Sequence, residues 1–229
     1  MSDTLYQGAA LILPLVMAIV FHEVAHGYVA RLLGDSTADD MGRLTLNPLR
    51  HVDPVGTVIL PGMLALAHMP VFGWAKPVPV VPRQLRNPRR DMMLVALAGP
   101  GSNLVLAALG AVVLGLMVRL ADGAPAGPIV GFVALNLFNF LSINVFLALF
   151  NLLPIPPFDG SHVVEGLLPR RLAAAYAGIR RTGFMLVLLL LVVLPQVIPG
   201  FDPVGRLVGP PVDWVLGHYL RLADLVANA

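Results

Sequence analysis

The sequence predicts an all-α polytopic membrane protein with about four to six transmembrane or re-entrant helices. Three observations carry that expectation. Of 229 residues, 57% are hydrophobic and 12% charged, where soluble domains carry about 25% charged residues. Mean hydropathy is +0.81. The missing charge is concentrated: residues 4–21, 54–75, 92–118, 128–158 and 182–201 contain no Asp, Glu, Lys or Arg. Each run reaches the roughly 18 residues that a helix needs to cross a hydrocarbon core of about 30 Å.

The first helix is expected over about residues 5–33. It is too long for a cleaved signal peptide and lacks a basic leading region. The loop 34–53, with "GDSTADD" and "NPLRHVDPVGT", is polar and turn-rich. The apolar run 55–71, interrupted by Pro61, reads as a re-entrant hairpin or as half of a pair with residues 74–81. In "FGWAKPVPVVP" the alternating prolines forbid a regular helix and predict a short membrane-associated β-hairpin. The next helix, about 91–120, carries "AGPGSN" in its first third. A helix at about 129–153 ends in "NLLPIPPFDG". Arg170, Arg171, Arg180 and Arg181 precede a last span at about 182–197. The tail 211–227 mixes Trp214, Leu216, Tyr219 and Leu220 with Asp213, Arg221 and Asp224, as an amphipathic helix lying in the interface would.

The sequence pI of about 9.4 does not point to nucleic acid. Five of the 15 basic residues lie in one acid-free loop, 76–90. By the positive-inside rule that loop and the arginines before residue 182 face the cytoplasm, so the first helix enters from outside. The expectation is a multi-pass protein of the plasma membrane. The absence of cysteine excludes disulfides and thiolate ligands, so any metal must be held by His and carboxylate.

Glu23 is the only formal charge between Asp3 and Arg31. A polar cluster inside an apolar span is costly and points to function. In "HEVAH", His22 and His26 lie about 40° apart around a helix and about 6 Å apart along it. Both rings can reach one metal ion, with Glu23 beside them as base for a water. This is the arrangement of a zinc hydrolase. A catalytic zinc usually takes a third protein ligand. His68, His218, His51, Asp53 and His162 are candidates, and Asp159 is preferred. It follows a helix broken by Pro154, Pro156 and Pro157, and irregular backbone at membrane depth lines cavities. A capping role for Asp159 is the alternative.

Together "HEVAHG" and "NLLPIPPFDG" resemble the HExxHG and NxxPxxPxDG motifs of the site-2 proteases, which are intramembrane zinc metalloproteases. "FGWAKPVPV" and "AGPGSN" look like segments of the short bacterial members of that family. The resemblance implies that His22, His26 and Asp159 bind one zinc ion per chain. It also implies that Glu23 activates water and that Asn151 stabilises the oxyanion or holds substrate. The chain then reads as one integral-membrane metalloprotease domain, residues 1–229, with core 5–170 and a C-terminal helix and tail 171–229. Some relatives carry a PDZ or a CBS domain; neither is expected here, at 121–128 or after Phe201. The expected partners are a transmembrane protein substrate and the lipid bilayer, with no nucleic acid and homo-oligomerisation left open. The active site is expected towards the cytoplasm. The extended "GWAKPVPV" segment is expected to receive an unwound substrate strand by edge pairing. Close packing through Gly99 and Gly101 is the preferred role of Asn103, with reach into the site as the alternative. A membrane metal transporter and an inactive scaffold are the alternatives. The first would need a relay of polar groups through the bilayer, and the second has no use for Glu23.

Overall fold

The charge-free runs fold mainly as helix, the one way for an open chain to satisfy every backbone polar group within its own segment in lipid. A computed structural model describes residues 2–66, 73–121 and 127–229. Its α-helices are α1 Ser2–Leu32, α2 Thr37–Asp40, α3 Leu60–Leu66, α4 Pro88–Ala121 and α5 Pro128–Asn151. They continue with α6 Asp159–Leu167, α7 Arg170–Leu188, α8 Leu194–Val197, α9 Pro203–Leu207 and α10 Gly209–Ala227. No strand occurs among the described residues.

Tyr6–Leu32, Pro88–Ala121 and Pro128–Asn151 are long and apolar enough to cross a membrane. Arg170–Gly178 and Thr182–Val197, bent by 59°, make a fourth span if counted together. Counted so, the last span starts at Arg170, before the expected residue 182. Apolar residues 54–59 form a wide π-helical turn that leads into α3. Over the described residues 54–66 the two rise about 20 Å. His68 lies outside the described residues, as does the end of the expected 55–71 hairpin.

The described residues fall into two compact units. Met1–Ala18, Pro100–Leu152 and Pro203–Ala229 form unit 1, and Ile19–Gly99 with Leu153–Asp202 form unit 2.

In unit 1, Ala107 and Ala111 of α4 pack with Leu141 and Val145 of α5 and Ala223 of α10. Pro14 lacks the N–H that would bond the carbonyl four residues back. Asn139 supplies a donor instead, its Nδ2 reaching Ala10 O at 3.0 Å. Asn103 and Asn144 are fully buried. Asn103 Nδ2 donates to Asn144 Oδ1 at 2.7 Å and to Ala18 O at 3.2 Å, and Asn144 Nδ2 donates to Phe140 O. The tail is not a free interfacial helix. A Cβ on Gly115 would lie 2.3 Å from Ala223 O, so α10 approaches α4 backbone to backbone. Tyr219 Oη donates to Leu104 O at 2.9 Å. Of the expected apolar face, Leu216, Tyr219 and Leu220 pack against the unit 1 core because small residues let α10 come close, while Trp214 stays exposed.

In unit 2, Ala30 of α1, Val95 of α4 and Leu85 from the segment before α4 form a core, with Val29, Leu33, Val80 and Met92 against it. Helix α1 closes at Gly34, whose φ of +114° only glycine adopts without strain. Asp35 N then donates back to Ala30 O at 2.9 Å. Helix α4 starts at Pro88, ahead of the expected residue 91. Proline suits a first turn because its missing N–H would have no helical acceptor there. The Asp91 carboxylate accepts from Asn87 N at 2.7 Å.

The expected β-hairpin does not form. Residues 73–81 are extended chain without a ladder. Pro77 and Pro79 have no N–H to pair, and the N–H groups around them are taken by other partners. Trp74 N donates to Gly56 O and Lys76 N to His51 O. Val78 N donates to Glu23 Oε2 at 2.8 Å, and Val81 N to Asp35 Oδ2 at 2.6 Å. Carbonyls of the same segment are bound too: Arg43 donates to Lys76 O, and Thr57 Oγ1 to Trp74 O. These bonds tie Trp74, Lys76, Val78 and Val81 to the rest of unit 2.

Candidate metal centre

Helical spacing puts His22 and His26 on one face of α1, with ring centroids 4.6 Å apart. The third member arrives from far along the chain. Helix α5 ends at Asn151, and the Pro154–Pro157 turn that follows cannot continue it. Helix α6 then opens on Asp159. Tyr176 Oη donates to Pro154 O at 2.6 Å and so pins that turn to α7. Asp159 Oδ2 lies 3.1 Å from His22 Nε2 and 3.3 Å from His26 Nε2. His22, His26 and Asp159 each offer a ligand atom, and these atoms lie within 4.8 Å of one another. Both histidines are buried.

The tautomer of His26 follows from its other nitrogen. Nδ1 lies 2.7 Å from Val95 O, and a carbonyl only accepts, so Nδ1 carries the proton. A neutral His26 therefore turns the Nε2 lone pair towards a carboxylate oxygen 3.3 Å away. Two electron-rich atoms so close call for a cation between them, either a proton or a metal ion. When a proton fills that place, the hydrogen bonds from His22 and His26 outweigh the effect of burial and hold the Asp159 carboxyl well below the usual carboxylate range.

Gly99 provides the second sign of a metal site. A Cβ there would lie 2.4 Å from His26 Nε2 and 2.6 Å from His22 Nε2. The chain thus keeps open the space on the ligand side of both rings. Two imidazoles and one carboxylate match a donor set of catalytic zinc, and the Val95 carbonyl orients one of the rings from behind, as such sites require. The donors and the cradle fit zinc.

Glu23, half-buried on α1, accepts from Val78 N and is thereby held in one orientation beside His22. Asn151 belongs to unit 1, where its Nδ2 donates to Leu147 O one turn back. The other candidates have different duties. His51 is buried with Nε2 donating to Thr45 O. Asp53 caps the turn at 54–59, accepting from Val55 N and Gly56 N. His162 lies beside Arg180, and His218 donates to Trp214 O within α10.

Sequence reasoning missed the role of Gly99, the Val95 carbonyl and the Val78 N–H. In sequence, Gly99 stands out only within "AGPGSN", where it reads as a packing residue together with Gly101. A Cβ on Gly101 would meet nothing within 4 Å. No local signal marks a backbone group as a partner of a residue dozens of positions away.

Fold and site together define a helical membrane protein in which two histidines and one carboxylate could hold a metal ion. The Peptidase family M50 model matches residues 117–194, which hold Asn151 and Asp159. "Putative zinc metalloprotease YwhC" of Bacillus subtilis (strain 168) is 41% identical over 186 residues, 80% of this chain and 80% of its own length. "Putative zinc metalloprotease Rip2" of Mycolicibacterium smegmatis is 34% identical over 178 residues, 77% of this chain and 64% of its own. The protein of the same name from Mycobacterium tuberculosis is 32% identical over 187 residues, 81% of this chain and 67% of its own. The chain thus spans about two thirds of the mycobacterial relatives. No solved structure matches. The chain belongs to the site-2 protease family, peptidase family M50, and with it to the metalloproteases.

Proposed function

We propose that this protein is a zinc-dependent intramembrane endopeptidase that hydrolyses peptide bonds in or near transmembrane segments of other membrane proteins. The observation that carries the reading is the convergence of His22, His26 and Asp159 on one point, with Glu23 adjacent, on a helix apolar enough to cross a membrane. The relatives named as zinc metalloproteases support zinc as the ion.

His22, His26 and Asp159 would hold one zinc ion per chain. Zinc supplies Lewis acidity to a water and to the scissile carbonyl. Glu23 takes the proton of the attacking water and returns it to the leaving amine. The N–H of Val78 keeps the carboxylate of Glu23 in place during both transfers. The side-chain amide of Asn151 has the donor chemistry to bind a developing oxyanion or the substrate backbone, an effect worth about 3–4 kcal/mol when geometry is good. The substrate helix must unwind locally, since its peptide groups are otherwise engaged in their own ladder. By the positive-inside rule, the His-bearing end of α1 lies towards the cytoplasm of a plasma-membrane protein.

The test compares purified wild type with Glu23→Gln for bound zinc and for cleavage of a panel of membrane-spanning helices. The reading expects about one zinc in both proteins and cleavage by the wild type alone, abolished by a chelator and restored by zinc. Zinc in both with cleavage by neither would overturn it in favour of a carrier or scaffold, and zinc flux in vesicles would separate those two.

A further inference from the structure

The basic loop before α4 and the arginines of α7 meet around a cavity of about 330 Å³ in unit 2. That volume is at the lower end of small-molecule sites. Arg89, Arg170 and Arg180 line it, together with Glu165 and His162. Arg180 pairs with Glu165, the only carboxylate in the lining. Arg89 donates to the carbonyls of Glu165 and Leu168 at the end of α6, which fixes its guanidinium without neutralising it. Three guanidiniums against one carboxylate leave the lining cationic. Arg170 is exposed at the first residue of α7, and Arg89 lies in the first turn of α4. Two helix N-termini thus add their partial positive charge to the same space.

The rest of the lining is mainly apolar: Met92 from α4, and Ala173, Ala174 and Ala177 from one face of α7. The alanines add little bulk to that wall of the cavity. Position in the membrane narrows the ligand further. Arg89, Arg90 and Asp91 are the last charges before the run 92–118, so the cavity lies where α4 enters the hydrocarbon. A ligand there needs an anionic head for Arg170 and Arg180 and an apolar body for the alanines.

The geometry points to a binding site for an anionic phospholipid, with its phosphate on Arg170 and Arg180 and its glycerol and first acyl carbons over Ala173, Ala174 and Ala177. Guanidinium forks match phosphate oxygens bidentately. Basic pockets between helices on the cytoplasmic side recognise such heads. Glu165 keeps Arg180 in place and sets a threshold, because only a head more anionic than a zwitterion outcompetes it.

The full chain in detergent is mixed with phosphatidylglycerol, with phosphatidylcholine or with inorganic phosphate, and bound lipid is counted by native mass spectrometry. The expected result is a preference for phosphatidylglycerol over phosphatidylcholine of about 25-fold, from roughly fivefold per arginine. It should fall to near unity in Arg170→Gln/Arg180→Gln and only in part in Arg170→Lys/Arg180→Lys, which keeps the charge but loses the fork. A preference unchanged in the Gln double variant overturns the site. Equal binding of the two lipids by the wild type overturns it as well. Inorganic phosphate displacing phosphatidylglycerol at millimolar concentration would overturn it in favour of a free-anion site. Should the double variant misfold, Leu172→Trp, at an exposed position of α7 outside the lining, reads the same question without filling the cavity. Its fluorescence should be quenched more by brominated phosphatidylglycerol than by brominated phosphatidylcholine, and an Ile12→Trp reference should show no difference. Equal quenching by the two lipids at both positions overturns the proposal.

Discussion

Val78 donates its backbone N–H to Glu23 Oε2 at 2.8 Å, across 55 positions of sequence. Pro77 and Pro79 flank it, so this is the one N–H in a Pro-Val-Pro triplet, and it goes to the glutamate beside the candidate metal ligands. A hydrogen bond to a charged group is worth about 1.5–3 kcal/mol. Val78→Pro removes the donor and is expected to lower kcat about ten- to hundredfold while bound zinc stays near wild type. Val78→Ala keeps the N–H and should stay within a few-fold. Equal losses in both variants would show that the side chain, not the N–H, matters.

Gly99 leaves no room for a side chain against the rings of His22 and His26. The added Cβ of Gly99→Ala would lie 2.4–2.6 Å from both ligand nitrogens. Zinc content measured by elemental analysis should fall by about tenfold or more. Gly101→Ala, two positions on with open space around it, should bind zinc normally. Full zinc in Gly99→Ala would contradict the cradle.

Asp35 is fully buried and accepts from Val81 N, Thr37 N and Thr37 Oγ1. Burial alone raises its carboxyl, but those hydrogen bonds outweigh burial and hold it below its ordinary 3.8. A lowered folded-state value means stability present above about pH 4 and lost as pH falls through that lower value. Asp35→Asn should therefore cost about 1–3 kcal/mol at neutral pH. The gap to wild type in thermal unfolding should close on acidification below about pH 4. A gap that stays constant through that range would remove the ionised carboxylate from the account.

Asn139 stands in for the N–H that Pro14 lacks, by donating to Ala10 O. Asn139→Leu should destabilise the protein by about 0.5–2 kcal/mol, the range of interhelical hydrogen bonds in membranes. Adding Pro14→Ala, which restores the helical donor, should recover most of the loss. Additive effects in that double-mutant cycle would show that the two residues act separately.

Much of the centre was readable from the chain. The His22, Glu23 and His26 triplet follows from a helical period of about 3.6 residues, and the charge-free runs announce spans because lipid admits no unpaired backbone. Asp159 was readable only in combination, as a carboxylate after a proline break that could complete a ligand set. The segment 73–81 shows where local reasoning ended. Alternating prolines excluded helix correctly, yet the expected hairpin does not form, since a ladder needs a partner strand and this segment's donors go to Glu23, Asp35, His51 and Gly56.

By itself the sequence determined a helical membrane protein, the pair of histidines with their glutamate, and the exclusion of thiolate chemistry. Hydropathy and helical spacing are short-range properties, complete within about twenty residues. Tertiary structure decided what meets them: Asp159 from 137 positions away, the Val95 carbonyl that sets the His26 tautomer, and the Val78 N–H on Glu23. It also decided that the Gly99 backbone lies against both rings. Backbone groups are the same at every residue, so their partners depend on which segments packing brings together, and no residue type announces them.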